Sequence, residues 1–312
     1  MPIEKVICES LKRLLLAALP LLAACDDPPV TPGPEFGHYL EQPSPYRLVE
    51  VLAGRSNGER RTMVAGALKA NGIPHITRPY SIGVDQGANV IAEYGDGGPL
   101  LILTTHFDRV PSTPGANDNA SCAAAVKAYG LLTEGGPVNH ITVRFLFTDQ
   151  EENGLLGAIA YMEQIETGKV VLGVASFEMC GMGDSFGIWD VEGSLENSVL
   201  VRALTQAGAE LDIYNGTHGT VPGYGSDHRA FALAGIPAVG VTVSSREDEA
   251  RLREYVDDPN SLKWRFRFLR PAIFRTYHTA GDTLETIDPA ALDMTARVMA
   301  AMVRNLDRLV GG

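Results

Sequence analysis

The chain has 312 residues, 45% hydrophobic and 21% charged, a globular balance that excludes a disordered or fibrous protein and allows one large core. Its formal net charge of −12 argues against nucleic acid as a partner, because that binding rests on Lys and Arg neutralising phosphates. The many glycines (33) and prolines (19) suit an α/β protein with numerous short turns.

Residues 1–24 read as an export signal. Lys5, Lys12 and Arg13 precede an apolar run from Leu14 to Ala24, which is interrupted by Pro20 and shorter than the roughly 20 residues that span a bilayer. The run ends Leu22-Ala23-Ala24-Cys25, which resembles the lipobox of bacterial lipoproteins, whose cysteine is acylated and becomes the first mature residue. Residues 25–36 then form a lipidated, Pro-rich tether, and residues 37–312 the folded domain. The expected location is the cell envelope, on the periplasmic face of a bacterial membrane, with the lipid anchor as the only membrane contact. Cys8 and Cys25 belong to the leader. For Cys122 and Cys180, a disulfide and a pair of buried thiols are both open.

Residues 46–71 read as helical, broken at Arg55–Asn57 and closed by Gly72. Asn89–Tyr94, Leu100–Thr105 and Ile141–Thr148 are β-rich, and the last two are almost continuously apolar, as strands buried on both faces are. Helical spacing marks Ala120–Leu132, Leu155–Ile165, Leu195–Ala207 and Pro289–Leu309. Val170–Phe177, Phe186–Val191 and Ala238–Val243 complete the strands. The alternation predicts a single α/β domain with a mostly parallel central sheet and helices on both faces. Residues 245–275, rich in charge and interleaved with Trp264, Phe266 and Phe268, read as an excursion lining a cleft.

In such a sheet the functional loops lie beyond the carboxyl ends of the strands. His106 and Asp108 follow one strand and can share a face, which makes Asp108 a partner for the second nitrogen of a ligating His106. Asp118 sits at the mouth of a helix. Glu151 and Glu152 follow a second strand, where adjacent residues point in different directions, so one can bind metal while the other faces water. Glu178 follows a third, and His278 stands in a late loop. Singly, each is weak, since polar groups at strand ends are usually satisfied structural residues. His38, His75, His140, His218 and His228 are read that way, Ser226 as a helix N-cap and Asp227 as a wall residue.

Together the blocks HFD…GANDNAS, DQEENGLLGA, FEMCG, GSDHRAF…GIP and YHTAGDT resemble the zinc aminopeptidases of metallopeptidase family 28, which also holds glutamate carboxypeptidase II and the glutaminyl cyclases. The resemblance runs from about residue 46 to the C-terminus. It implies a zinc aminopeptidase-like fold and an exopeptidase that hydrolyses the N-terminal bond of a peptide with a free amino group. It implies two zinc ions, with one as the lesser possibility. Asp118 bridges them, His106 and Glu178 complete one site, Glu152 and His278 complete the other, and Glu151 is the general base. Tyr224 and Tyr277 are the two candidates to donate to the developing oxyanion. The chain departs from the common pattern at Glu178, where aspartate is usual.

Two other activities compete. Gly183-Asp184-Ser185-Phe186-Gly187 matches the G-x-S-x-G elbow, and Ser185, Asp227 and His278 follow the triad order of α/β-hydrolases; a strand-like run follows the serine, however, where that motif needs a helix. Glutaminyl cyclases resemble a pattern with Trp before the late histidine, and this chain has Tyr277.

Overall fold

A computed structural model describes residues 33–95, 97–165, 168–220 and 225–312. The export signal, Cys25, most of the tether and Tyr224 lie outside the described residues.

The chain enters through α1 (Phe36–Glu41), α2 (Pro45–Leu52) and α3 (Asn57–Ala70). Ser44 caps α2 by accepting from Arg47 N, with Pro45 in the first turn. Ser56 and Glu59 form a reciprocal capping box on α3, so the break at Arg55–Asn57 is the start of a second helix. Gly72, at φ +68°, takes the left-handed turn that ends α3.

Eight strands follow: β1 (His75–Ile82), β2 (Asp85–Tyr94), β3 (Leu100–His106), β4 (Thr142–Thr148), β5 (Val171–Phe177), β6 (Ser185–Trp189), β7 (Asn215–Thr217) and β8 (Ala238–Ser244). Between them lie α4 (Ala123–Glu134), α5 (Leu156–Gln164), α6 (Val199–Leu211) and α7 (His228–Leu233). After them come α8 (Glu249–Asp257), α9 (Ile273–Thr276) and α10 (Pro289–Gly311). The sheet order is β1-β2-β4-β3-β5-β8-β6-β7. Strands β4, β3, β5 and β8 run parallel at its centre and β7 runs parallel to β6. The pairings β1–β2, β2–β4 and β6–β8 are antiparallel. β1 carries no apolar signal because Tyr80 alone among its residues is buried; its pairing with β2 makes it a strand.

The side chains of β3 alternate between two cores. Leu101 and Leu103 join Val143 and Phe145 of β4 against α4, α6 and α10, while Leu100 and Ile102 join Leu146 against Tyr161 of α5 and Phe231 of α7. Burial on both faces explains the unbroken apolar run, each such residue contributing roughly 1.5–3 kcal/mol. Because β4, β3 and β5 are parallel neighbours, their following loops converge at one end of the sheet. The excursion expected at residues 245–275 is α8, α9 and short 3₁₀ turns wrapped around Met179, Leu252, Tyr255, Trp264, Ile273 and Phe274.

Ser226 is not a helix N-cap. α7 begins after Asp227, which is already in helical conformation and caps nothing, and Ser226 Oγ instead faces Ser176 Oγ at 3.4 Å. No helix among the described residues is long and apolar enough to cross a membrane.

Candidate active site

His106 is the last residue of β3, Glu178 the first after β5, and Glu151 and Glu152 lie in the turn after β4. Asp118 comes from the loop between β3 and α4, and His278 from the loop after α9. These distant segments meet. Asp118 Oδ1 stands 3.4 Å from His106 Nε2 and Asp118 Oδ2 stands 3.3 Å from His278 Nε2. Glu178 Oε1 approaches His106 Nε2 at 3.9 Å, and Glu152 Oε2 approaches His278 Nε2 at 3.0 Å. One carboxylate thus faces two imidazoles, each with a further carboxylate beside it.

Asp108 does more than orient His106, whose Nδ1 lies 3.1 Å from Asp108 Oδ1. It also accepts from the backbone N–H groups of Glu151 and Glu152, both at 3.1 Å, so one side chain ties the loop after β3 to the turn after β4. Asp282 plays the matching part for the late loop, accepting from Asn117 N at 2.7 Å and Asp118 N at 3.0 Å. Asn117 Oδ1 and Ser121 Oγ in turn accept from Gly181 N and Cys180 N, just beyond Glu178. Gln150, Met179 and His278 have φ of 56°, 50° and 53°; left-handed backbone at non-glycine residues clusters where the surrounding structure imposes it, often at functional sites.

The loop that carries Asp118 is held by two arginines. Arg60 is fully buried and donates to the carbonyls of Leu52, Phe107, Pro114 and Gly115 at 2.7–3.0 Å. Burial brings its pKa down to about 10, so it stays charged at neutral pH. Arg109 donates to the carbonyls of Arg55, Val110, Pro111 and Thr113. Gly115, at φ +61°, sits where a Cβ would meet Arg109 Cβ at 2.7 Å, Asp118 O at 2.8 Å and Arg60 Nη2 at 2.9 Å, so the loop needs glycine there. Arg60→Met removes one donor from each of these carbonyls; Leu52 O, Pro114 O and Gly115 O keep the N–H groups of Arg55, Gly54 and Ala120, whereas Phe107 O keeps none among the described residues, and the expected cost is about 1–3 kcal/mol in urea unfolding. A loss under about 1 kcal/mol would show that water replaces the guanidinium.

The electrostatics favour a cation. Burial opposes ionisation of Asp118, but its two imidazole neighbours outweigh burial and hold its carboxyl well below the ordinary range. Burial, with Glu178, Glu152 and Asp227 nearby, outweighs the pull of His106 and pushes Glu151 up. Burial and Asp118 likewise raise Glu152 to about 7 despite its contact with His278. Burial would lower His106, but Glu151, Asp108, Asp118 and Glu178 raise it above its usual value. His106 Nε2, Asp118 Oδ1 and Glu152 Oε1 are buried without a hydrogen-bond partner. The ligand atoms of His106, Asp118 and Glu152, and those of His106, Glu151 and Glu178, lie within 4.8 Å of one another. Converging buried lone pairs of imidazole and carboxylate fit a divalent metal of the zinc type.

Tyr277 stacks on His278 with ring centroids 3.7 Å apart. Burial and the surrounding carboxylates, Asp118 and Glu178 first, push its hydroxyl well above the usual range. Glu178 and Tyr277 border a solvent-open cleft also lined by Met179, Trp189, Asp190 and Phe274. His228, read from sequence as a satisfied polar group, holds Asp190 at 2.8 Å in that cleft wall. Asp227 is not on the wall: it is fully buried and accepts from Thr148 and Thr104 beneath the site.

The serine-hydrolase alternative fails on geometry. Ser185 is 1% exposed, opens strand β6 where the elbow needs a helix to follow, and spends its hydroxyl on Ser244 O at 2.8 Å. Its supposed partners are engaged elsewhere, Asp227 with threonines and His278 with Asp118 and Glu152. Cys122 and Cys180 are both buried and free, which resolves that pair as two thiols.

Sequence reasoning missed the positioning roles of Asp282, Asn117 and Arg60. Asp282 had a signal, being the acid four residues after His278 in YHTAGDT; Arg60 had none, lying in a helix whose sequence shows too little apolar periodicity to mark the buried face it shares with Val64, Ala67 and Leu68.

Comparison with known proteins agrees with this geometry. Residues 89–303 match Peptidase family M28. The chain is 26% identical over 309 residues to leupeptin-inactivating enzyme 1 of Streptomyces exfoliatus, covering 93% of this chain and 66% of that protein. It is 28% identical to the probable lipoprotein aminopeptidase LpqL of Mycobacterium tuberculosis, covering 72% of this chain and 46% of the other. The chain therefore spans less than two thirds of the length of these relatives. Among solved structures, a glutaminyl cyclase of Bacteroides thetaiotaomicron superposes with a TM-score of 0.62 at 18% identity, over 88% of this chain and 99% of that one, a likeness of fold. With two thirds of its length matched, and with acids and histidines gathered at the ends of three parallel strands, the chain belongs to Peptidase family M28.

Proposed function

We propose that this protein is a zinc-dependent aminopeptidase that removes the first residue of peptides with a free N-terminus. The observation that carries the reading is Asp118, whose two oxygens face two different histidines while Glu178 and Glu152 flank the pair. In this reading His106, Asp118 and Glu178 hold one zinc, and Asp118, Glu152 and His278 the other. Zinc bound there supplies an acidified water and polarises the scissile carbonyl.

The chain's own residues do the remainder. Glu151, buried and with a raised pKa, is suited to take a proton from the attacking water and deliver it to the leaving amine. Asp108 fixes the His106 ring and the Glu151 turn together. Tyr277, buried among these carboxylates, is one of the two candidates, with Tyr224, to donate to the developing oxyanion, and the cleft beside Glu178 receives the N-terminal side chain. The relative named as a lipoprotein aminopeptidase supports the envelope location and the lipid anchor at Cys25 for this chain too. On this reading, residues 1–24 are removed, residues 25–36 tether, and residues 37–312 work.

The deciding experiment combines metal analysis with activity on aminoacyl-anilide and N-terminal glutaminyl substrates. About two zinc ions per chain and anilide hydrolysis abolished by a chelator are expected. Glu178 carries one methylene more than the usual aspartate, and zinc–oxygen distances tolerate only about 0.2 Å, so graded chelation should remove the zinc held by Glu178 first and activity should fall in two steps. Chelator-resistant activity would overturn the metal assignment. Cyclisation of the glutaminyl substrate without anilide hydrolysis would transfer the site to the cyclase reaction that the Bacteroides fold neighbour carries in its name.

A further inference from the structure

We propose that the exposed turn from Leu262 to Leu269 docks this protein on an anionic lipid bilayer. The segment LKWRFRFLR holds Lys263, Arg265, Arg267 and Arg270 and no acid, in a chain of net charge −12. Arg265, Phe266, Arg267 and Phe268 are four consecutive exposed residues. Leu262, Phe266 and Phe268 are 67%, 59% and 70% exposed, and the two phenylalanine rings sit 6.0 Å apart. Lys263 is paired with Glu254, while among the described residues neither Arg265 nor Arg267 forms an ion pair, so these two carry the uncompensated charge of the turn.

The turn is held firmly from below. Trp264 is buried in the cluster of Met179, Leu252, Tyr255, Ile273 and Phe274, its ring 5.3 Å from that of Tyr255; its indole N–H donates to Asp258 O at 2.8 Å and its carbonyl accepts from Arg270 Nε at 2.7 Å. Those interactions fix a projecting turn that keeps three large apolar side chains in water, an arrangement that folding alone does not reward.

The chemistry of the patch selects its partner. A specific protein partner needs about 800 Å² on each side, more than one short turn presents. A bilayer interface accepts single aromatic rings at headgroup depth and rewards each nearby basic residue when the lipid is anionic. Met179 and Phe274 belong both to the cluster beneath the turn and to the lining of the cleft, so docking would hold the cleft mouth close to the lipid surface. This contact is separate from the lipid anchor proposed at Cys25.

The test uses the chain from Asp26 onward, which lacks the leader and the anchor cysteine and contains the whole core, built from residues between Tyr39 and Leu306. It is sedimented with vesicles of phosphatidylcholine, with and without phosphatidylglycerol, at low and high salt. Binding to the phosphatidylglycerol vesicles at low salt is expected, with loss at high salt. Arg265→Glu with Arg267→Glu should lower the partition coefficient more than tenfold, at roughly fivefold per basic residue. Phe266→Ser with Phe268→Ser should lower it comparably, and both double variants should keep their circular dichroism and peptide hydrolysis in solution. Absence of binding by the parent, equal binding by parent and variants, or salt-insensitive binding to neutral vesicles would overturn the proposal. A concentration-dependent dimer that the phenylalanine variants abolish would assign the face to a second copy of the chain and overturn it as well.

Discussion

Glu151→Gln is expected to lower kcat by roughly 10²–10⁴-fold while bound zinc and KM stay near the parent values. The amide keeps the shape of the side chain, so its backbone bond to Asp108 and the packing of the turn survive, but it cannot accept a proton. Glu151 is 8% exposed and sits with His106 on one side and Glu178, Glu152 and Asp227 around it, the environment of a carboxylate whose proton affinity is tuned by burial and neighbouring charge. Glu152→Gln is the control. Its Oε2 lies 3.0 Å from His278 Nε2, so it should lose metal as well as activity. Steady-state kinetics with metal analysis on both variants reads the difference. Near-parent kcat for Glu151→Gln would remove it as the base, and a loss of zinc in that variant would make it a ligand.

Asp118→Ala should have a larger effect still. Every other proposed ligand serves one histidine, whereas Asp118 serves His106 and His278 together, so deleting it should remove both metals at once and drop kcat/KM by more than about 10³-fold. Asp282→Ala separates ligation from support, because the Asp282 carboxylate, among the described residues, accepts from the backbone N–H groups of Asn117 and Asp118; positioning groups of this kind typically cost 10–100-fold in metal affinity. Titration of the metal-free proteins with zinc, followed by calorimetry, distinguishes the two without reference to activity. An Asp118→Ala variant that retained one full equivalent of tightly bound zinc would show that the two sites do not share this carboxylate.

The central strands were legible because burial on both faces leaves an almost unbroken apolar run in Leu100–His106 and Thr142–Thr148. The break at Arg55–Asn57 was legible, but the Ser56–Glu59 capping box that makes it the start of α3 emerged with the structure. β1 was illegible for the opposite reason: at the sheet edge it buries Tyr80 alone, and its only specification is the partner strand. The five proposed ligands were legible as residue types at strand ends and in two loops, since parallel strands must deliver their following loops to a common edge.

The sequence by itself therefore determined the α/β class, the order of the central elements and the acids and histidines available to a metal. Tertiary structure alone decided how they are shared. The division of Asp118 between two histidines, the support of its backbone by Asp282 from 164 residues away and the grip of Arg60 on Gly115 from 55 residues away leave no periodic trace, because side-chain contacts across such separations follow from packing and not from local propensity. For the same reason only the folded arrangement shows Ser185 sealed against Ser244 and Cys122 and Cys180 as separate buried thiols: a motif or a pair of cysteines specifies composition, while reactivity depends on which neighbours the fold supplies.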